Sequence, residues 1–153
     1  MRVYIDLDGV LTDGKLYIDH TGEKLFKAFH SRDVRAIREL IFNGFTVVIV
    51  SADDHPSGKH FADKVGADFM YVRDKSKLEP ADYAIGDDCW DIPLLKKCNH
   101  IFCPCDADVA VRVLSHMTVL QTEGGKGCIA EMIRFILTEN GRILSPENGR
   151  IKA

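Results

Sequence analysis

Short apolar runs alternate along the chain with segments whose apolar residues recur at helical spacing. The runs at 2–5 and 45–50 are rich in β-branched and aromatic residues, and the second is apolar on both faces. Strands of this kind suit a parallel sheet that is covered on both sides. Shorter runs at 69–72, 83–85, around 101 and at 118–120 are predicted to be the remaining strands.

Helices are predicted between these strands. Asp33 is placed to cap a helix that Asn43-Gly44 would end, because apolar residues follow the helical period between them. Further helices are predicted at 58–65, 92–97, 106–114 and 128–137. This alternation favours an α/β fold with a Rossmann-like, doubly wound and mostly parallel sheet, in a single domain that spans residues 1–153.

Two segments depart from the alternation. Residues 15–29 contain two short strands around Asp19-His20-Thr21-Gly22, which predicts a β-hairpin inserted after the first strand. Such an insert is placed to cover the end of that strand as a flap, or to pair with the hairpins of other subunits. Residues 138–153 are polar and rich in turn formers, and they are predicted to form a mobile C-terminal tail.

Two carboxylates follow the first strand in the sequence Asp6-Leu7-Asp8-Gly9. Side chains two residues apart in an extended chain point the same way, so Asp6 and Asp8 would repel each other without a cation or a shared proton. A divalent ion is the simpler remedy, because Mg²⁺ commonly binds one or two carboxylates together with phosphate oxygens. A solvated turn is the competing interpretation, since Asp and Gly are common turn residues.

Polar residues also follow the other predicted strands. The pair Ser51-Ala52 offers a hydroxyl and backbone N–H groups to a phosphate oxygen, and Lys75 or Lys77 would neutralise phosphoryl charge. Asp87 is placed to be a second metal carboxylate, and Asp91 to orient metal-bound water. Because ligands collect at the carboxyl ends of strands in open α/β sheets, these groups are predicted to form one site.

Composition narrows the range of partners. A hydrophobic fraction of 46% and a charged fraction of 28% are those of an ordinary soluble globular protein. The net charge of -3, without a basic run, argues against a nucleic-acid partner. The chain has no signal-peptide pattern and no apolar stretch of membrane-spanning length, which predicts a cytoplasmic protein without a membrane partner. Its five cysteines lack the spacing of a disulfide framework or a zinc site.

The order of these motifs resembles the haloacid dehalogenase-like phosphatase superfamily. The first motif of that superfamily stands here as Asp6-Leu7-Asp8-Gly9. The stretches at 8–14, 29–33, 86–91 and 124–127 are similar to one small branch without a cap domain. That branch contains 3-deoxy-octulosonate 8-phosphate phosphatases and sialic-acid-type 9-phosphate phosphatases, and the resemblance extends to about residue 137.

The resemblance implies a Mg²⁺-dependent phosphomonoesterase for a small phosphorylated sugar or sugar acid. Asp6 would attack phosphorus and form an aspartyl-phosphate, while Asp8 would protonate the leaving alkoxide and then activate water. The metal ligands implied are Asp6, Asp87 and the backbone carbonyl of Asp8, with Asp91 in the surrounding shell. A lysine would neutralise the phosphoryl group.

The same resemblance implies residues around the substrate and an assembly. Thr12 would lie near the substrate, and Arg32 with the loop Gly124–Gly127 would help to select it. A salt bridge beside Asp33 is an equal alternative for Arg32, and an ordinary tight connection is one for the loop. Members of the branch form tetramers in which hairpins join and a neighbouring subunit covers the site, which implies a homotetramer through the hairpin insert.

Two departures from the branch leave alternatives open. Relatives continue with Gly-Arg after the second strand, whereas Ser51-Ala52 here precedes Asp53-Asp54-His55. The crossover after Lys75 is also too short for a full helix, so it is predicted to be a turn. The pair Asp74-Lys75 resembles the branch and favours Lys75 over Lys77, although both also suit solvated turn lysines. A catalytically weak oligomerisation module, related to the phosphatase-like domain of sialic-acid-activating enzymes, is the alternative to an enzyme.

Overall fold

Six parallel strands form the central sheet of the computed structural model, which describes residues 1–142. The strands in chain order are β1 (Arg2–Asp6), β2 (Tyr17–Ile18), β3 (Lys24–Phe26), β4 (Thr46–Ser51), β5 (Asp68–Tyr71), β6 (Tyr83–Ile85), β7 (His100–Cys103) and β8 (Met117–Val119). All but β2 and β3 pair in the order β5-β4-β1-β6-β7-β8. The predicted doubly wound α/β sheet is confirmed.

Within residues 1–142, five helices connect the strands and flank the sheet. They are α1 (Ser31–Phe42), α2 (Pro56–Val65), α3 (Ile92–Leu95), α4 (Val109–Arg112) and α5 (Cys128–Glu139). Short helical turns at Leu7–Leu11, Lys75–Lys77 and Cys89–Asp91 follow β1, β5 and β6. None of the helices within residues 1–142 is both long enough and apolar enough to span a membrane.

Both faces of the sheet are buried, as the apolar β4 run predicts. Val47 and Ile49 pack in a cluster with α1, α2 and α5, whereas Val48 and Val50 pack on the opposite face with α3 and α4. Burying an aliphatic side chain of this size stabilises the folded state by roughly 1.5–3 kcal/mol. The paired clusters therefore hold the strand ends in fixed relative positions.

The order of the strands reverses at β1, which pairs with β4 on one side and with β6 on the other. The chain moves outward to β5 in its first half and outward to β8 in its second half. A topological switch point of this kind opens a crevice at the carboxyl ends of the strands. Asp6, the last residue of β1, lies at that point.

The hairpin is a separate two-stranded sheet. Strands β2 and β3 pair antiparallel, as predicted for residues 15–29, and the rings of Tyr17 and Phe26 stack with centroids 4.7 Å apart. Four apolar side chains of this hairpin are more than half exposed: Leu16, Ile18, Leu25 and Phe26. An isolated two-stranded sheet is marginally stable in water, so its attachment to the rest of the chain matters.

Several predicted helix boundaries are wrong. His30, rather than Asp33, caps α1, because its ring nitrogen Nδ1 accepts a hydrogen bond from the backbone N–H of Arg32 at 3.2 Å. Asp33 lies inside the helix and is fully buried. Helix α4 covers only four residues of the predicted 106–114, and α3 ends two residues early. Helix α5 extends to Glu139, into the predicted tail, and residues 143–153 of that tail lie outside the described residues.

Candidate active site

The carboxyl ends of β1, β4, β5 and β6 open into a cavity of about 700 Å³. This volume is within the usual range of small-molecule sites. The side chains come from the segments that follow the strands and from the hairpin. They are Asp6, Asp8, Gly14, Leu16, Lys24, Ser51, Ala52, Asp53, Asp54, Tyr71, Arg73, Lys75, Asp88, Trp90 and Asp91.

Three carboxylates meet at the floor of this cavity, where Asp6 and Asp91 line it and Asp87 lies beside them. Oxygen atoms of Asp6, Asp87 and Asp91 all lie within 4.8 Å of one another. Burial and the charge of Asp91 raise the pKa of Asp6 well above its usual value, and the same two causes raise the pKa of Asp87 to about 7. Charge repulsion is therefore concentrated on two buried carboxylates, Asp6 and Asp91, and one half-buried carboxylate, Asp87, which arrive from two different strand ends.

Lys75 places a positive charge against this cluster. Its ammonium donates to the carboxylates of Asp6 and Asp91, and its side chain is only 6% exposed. Burial alone lowers the pKa of Lys75, but the charges of Asp6 and Asp91 outweigh it and raise the pKa. The lysine begins the short turn Lys75–Lys77, so the predicted trimmed crossover is present and still delivers a lysine to the strand ends.

Asp91 is fixed by its neighbours in the chain. Its Oδ2 accepts hydrogen bonds from the backbone N–H groups of Asp87 at 3.0 Å and Asp88 at 3.1 Å. The Asp88 side chain in turn accepts from the Trp90 N–H at 3.4 Å, so the two carboxylates close the turn reciprocally. These hydrogen bonds explain why the turn that begins at Gly86-Asp87-Asp88 holds the carboxylates of Asp88 and Asp91 close together despite their repulsion.

Glycine is required where the first motif turns beside Asp87. Gly9 has a φ of +89°, and a methyl group on its Cα would lie 1.9 Å from Asp87 Oδ2. The Thr12 hydroxyl accepts from the backbone N–H groups of Gly9 at 3.4 Å and Gly14 at 3.3 Å. Gly124 packs against the same loop, since a methyl group there would lie 1.9 Å from the Gly9 carbonyl oxygen. The glycine loop therefore packs directly against the backbone of the first motif.

Asp8 points away from the three-carboxylate cluster and towards the hairpin. Its carboxylate accepts from the ammonium of Lys27, which also donates to Asp53 at 2.9 Å. Lys24 reaches the same Asp53 carboxylate at 2.7 Å. Although burial raises the pKa of Asp53, the hydrogen bonds from Lys24 and Lys27 hold it well below its usual value. The hairpin is thus attached to the end of β4 and to the first motif by ion pairs.

Ser51-Ala52 lies at the end of β4 within the cavity, as predicted. The Ser51 hydroxyl donates to the Asp53 carbonyl at 3.2 Å and accepts from the Asp53 N–H at 3.0 Å. Ser51 is 1% exposed, whereas Ala52 is open to the cavity. The hydroxyl therefore shapes the turn, and its contact with a phosphate stays a prediction.

Three predicted substrate residues do not line the cavity. Thr12 is buried and organises its own loop. Lys77 is 80% exposed at its side chain and faces a different groove, so Lys75 is the lysine that reaches the strand ends. Arg32 lies beside the glycine loop, where its guanidinium donates to the Lys126 carbonyl at 3.4 Å. The salt bridge beside Asp33, the alternative interpretation of Arg32, is absent among the ion pairs of residues 1–142.

The hairpin lysines and the cavity rim were missed by sequence reasoning. Lys24 and Lys27 are two of many scattered lysines, and only their location within the predicted flap at 15–29 hinted at the site. Tyr71, Arg73 and Trp90 carry no motif, yet all three line the cavity. Their position at or shortly after the ends of the predicted strands 69–72 and 83–85 was the available signal.

The residues present fit a hard divalent cation. Asp87 Oδ1 is buried without a hydrogen-bond partner among the described residues, and it lies in the cluster with Asp6 and Asp91. A buried carboxylate oxygen without a donor is costly unless a cation binds it. Oxygen-only donors suit Mg²⁺ or a similar ion rather than a soft metal.

Comparisons with known proteins agree with this geometry. The chain is 34% identical over 155 residues to 3-deoxy-D-manno-octulosonate 8-phosphate phosphatase KdsC of Haemophilus influenzae, which covers 92% of this chain and 84% of that protein. A cobalt-bound structure of the Haemophilus influenzae phosphatase matches with a TM-score of 0.86 at 30% identity, over 97% of this chain and 94% of that one. The Yersinia pestis enzyme matches with a TM-score of 0.83 at 27% identity, over 92% and 82%. No family model matches the chain.

Proposed function

The chain belongs to the 3-deoxy-D-manno-octulosonate 8-phosphate phosphatases of the haloacid dehalogenase-like superfamily, and on this premise we propose that it removes phosphate from a small sugar acid. It is a phosphatase with a divalent metal site. The substrate class proposed is an octulosonate 8-phosphate or a nonulosonate 9-phosphate. The observation that carries the proposal is Asp6 at the switch point, buried against Lys75 and within 4.8 Å of Asp87 and Asp91.

Asp6 is the proposed nucleophile. Its carboxylate ends β1, where the flanking strands fix its position and the Lys75 ammonium holds one oxygen. Attack on phosphorus would form an aspartyl-phosphate and release the sugar alkoxide. Lys75 would then face the phosphoryl oxygens as well as Asp6, so its positive charge would offset the negative charge that accumulates on those oxygens.

Mg²⁺ is the proposed cofactor, held by the carboxylates of Asp6 and Asp87 with the backbone carbonyl of Asp8. When bound, it supplies charge neutralisation for the carboxylates and for a phosphate oxygen. Asp91 completes the acidic cluster and is anchored by two backbone N–H groups, so it would keep the remaining ligands oriented.

Asp8 is the proposed general acid and base. Its side chain is 40% exposed and faces the cavity, and the contact with Lys27 directs it towards the hairpin rather than towards Asp87. A proton on this carboxyl would pass to the leaving alkoxide oxygen, and the resulting carboxylate would take a proton from the attacking water. Separation of Asp8 from the acidic cluster supports two different roles for the two motif aspartates.

A homotetramer through the hairpin is proposed as the assembly. The exposed apolar side chains of β2 and β3 form a surface that a single subunit leaves in water, which is unusual for a free hairpin. Covering it with neighbouring hairpins would bury those side chains and roof the cavity. A cytoplasmic location, and the absence of nucleic-acid and membrane partners, stay predictions from composition.

A panel of phosphate esters with Mg²⁺ tests the function. We expect phosphate release from octulosonate 8-phosphate or nonulosonate 9-phosphate, and its loss in Asp6→Asn. Asp63→Asn, an exposed aspartate on α2, is the matched control and should keep wild-type activity. Activity that survives Asp6→Asn would falsify the aspartyl-phosphate mechanism. A tetramer that binds Mg²⁺ but hydrolyses no ester would favour the catalytically weak module, which Asp53 after β4 still supports.

A further inference from the structure

The rim of the cavity carries a group of side chains that the proposed chemistry does not use. Tyr71 ends the edge strand β5, Arg73 follows it two residues later, and Trp90 lies in the turn after β6. All three line the cavity, with exposed fractions of 44% for Tyr71 and 73% for Trp90. A large aromatic side chain in water beside a binding site commonly contacts ligand.

Arg73 is the cation of this rim, and its charge is unpaired. Three basic side chains line the cavity: Lys24, Arg73 and Lys75. Lys24 pairs with Asp53 and Lys75 with Asp6 and Asp91. No carboxylate within residues 1–142 lies within ion-pair distance of Arg73. Six aspartates also line the cavity, yet this guanidinium pairs with none of them and is left to meet an anion from solution.

The geometry of Arg73 suits a planar anion. Its Nε donates to the Tyr71 hydroxyl at 2.7 Å, and its guanidinium carbon lies 5.9 Å from the centroid of the Tyr71 ring. This contact restrains the side chain while it leaves the two terminal nitrogens free of protein partners among the described residues. Those two nitrogens form a fork that matches the two oxygens of a carboxylate.

We propose, resting on the function proposed above, that Arg73 binds the carboxylate of the sugar acid, that Tyr71 positions Arg73, and that Trp90 packs against the sugar. The phosphate end of the substrate reaches Asp6 at the floor, while the acid end stays at the rim. Specificity for sugar acids over neutral sugar phosphates then comes from residues of this chain that carry no catalytic chemistry.

Kinetics with two substrates test the assignment. Arg73→Gln should lower kcat/KM for 3-deoxy-octulosonate 8-phosphate about tenfold, through KM, because one charge-assisted bidentate contact is lost. The kcat/KM of a neutral pentose 5-phosphate, or its inhibition constant where it is not hydrolysed, should change less than twofold. Tyr71→Phe should show a smaller loss, of about threefold, for the acid substrate alone. Arg35→Gln, an exposed arginine on α1, is the control.

An equal loss for both substrates would mean that Arg73 binds phosphate, and no loss would mean that it is a solvated arginine; either outcome overturns the proposal. A second measurement does not depend on turnover. Trp90 is the single tryptophan of the chain, so its fluorescence reports on the rim directly. Free 3-deoxy-octulosonate should change Trp90 emission in the wild type, with about tenfold weaker binding in Arg73→Gln.

The two measurements separate this proposal from the proposed function. An emission change that needs Arg73, in a protein that releases no phosphate, would support the rim site and reject the phosphatase substrate. Normal turnover of the sugar-acid phosphate with unchanged Trp90 emission, and with calorimetric binding unaffected by Arg73→Gln, would support the phosphatase and reject the rim site.

Discussion

The floor and the rim of the cavity are built in different ways. On the floor, Asp6, Lys75 and Asp91 are buried and held by ion pairs and by backbone hydrogen bonds at the ends of sheet strands. At the rim, Trp90 and the hairpin are largely exposed, and ion pairs of Lys24 and Lys27 with Asp53 hold the hairpin against the end of β4. The sheet thus sets the position of the floor side chains, whereas side-chain ion pairs hold the hairpin beside the cavity.

Removing the floor lysine should have the largest effect on activity. Lys75→Met keeps the length of the side chain but leaves the phosphoryl charge and Asp6 without their cation, so kcat/KM should fall about 10²–10³-fold. Lys77→Met, two residues away and 80% exposed, should stay within about twofold of wild type. Steady-state kinetics with the best ester of the panel provide the measurement. A larger loss in Lys77→Met would reverse the choice of lysine.

Two glycines with nearly the same positive φ allow the floor and the hairpin to be compared. Gly9 and Gly22 have φ of +89° and +88°, but only at Gly9 does a methyl group meet an obstacle, 1.9 Å away at Asp87. Gly22→Ala should therefore cost about 1 kcal/mol of stability from backbone strain alone. Gly9→Ala should cost about 2–3 kcal/mol or more and abolish activity, because the carboxylate must shift. Urea denaturation measures the free energy of unfolding of both variants. Equal losses in Gly9→Ala and Gly22→Ala would show that the Asp87 carboxylate can shift without a cost in stability.

Sequence reasoning located the floor because strand ends follow local rules. An apolar β-branched run that stops at acidic residues indicates both the strand and its carboxyl end, so Asp6 and Asp87 could be placed from the pattern of the sequence. Lys75 was favoured over Lys77 only by the resemblance of Asp74-Lys75 to the branch. The attachment of the hairpin was beyond such rules. Lys27 and Asp53 are 26 residues apart, and nothing in either local sequence says that they pair. The predicted helix ends were wrong for a similar reason. Asp33 looks like a cap in the sequence, but it is buried against α5, and that contact depends on tertiary packing.

Asp33 joins α1 to the start of α5, and its burial predicts that stability depends on pH. Its carboxylate accepts from the Ala130 N–H at 2.8 Å at the start of α5, next to the glycine loop. Burial raises the pKa of Asp33 to about 6, above its unfolded value near 3.8. The folded state therefore binds a proton between these values that the unfolded state has released, so this group lowers stability as pH rises from about 4 to about 6.

Asp33→Asn should flatten that slope while it keeps an acceptor for the Ala130 N–H. The expected difference between wild type and variant is on the order of 2 kcal/mol across the pH 4–6 range. Urea denaturation at several pH values, with Asp63→Asn as an exposed control, measures it. A slope that is the same in wild type and Asp33→Asn would show that Asp33 titrates normally in the folded protein.

Loss of the ion pair between Lys27 and Asp53 should have the smallest of these effects. It tests the difference between rim and floor most directly, because the pair joins the hairpin to the segment after β4. A double-mutant cycle of Lys27→Met and Asp53→Asn isolates this contact, since the Lys27 contact with Asp8 is lost equally in both variants that carry Lys27→Met. The side chains are 9% and 14% exposed, so we expect a coupling energy of about 1 kcal/mol. Lys59 and Asp63, both 57% exposed on one helix face, form the matched surface pair and should couple by about 0.3–0.5 kcal/mol. If the two coupling energies agree, this ion pair does not anchor the hairpin, and the position of the hairpin depends on its other contacts, which include Lys24 with Asp53 and Lys27 with Asp8.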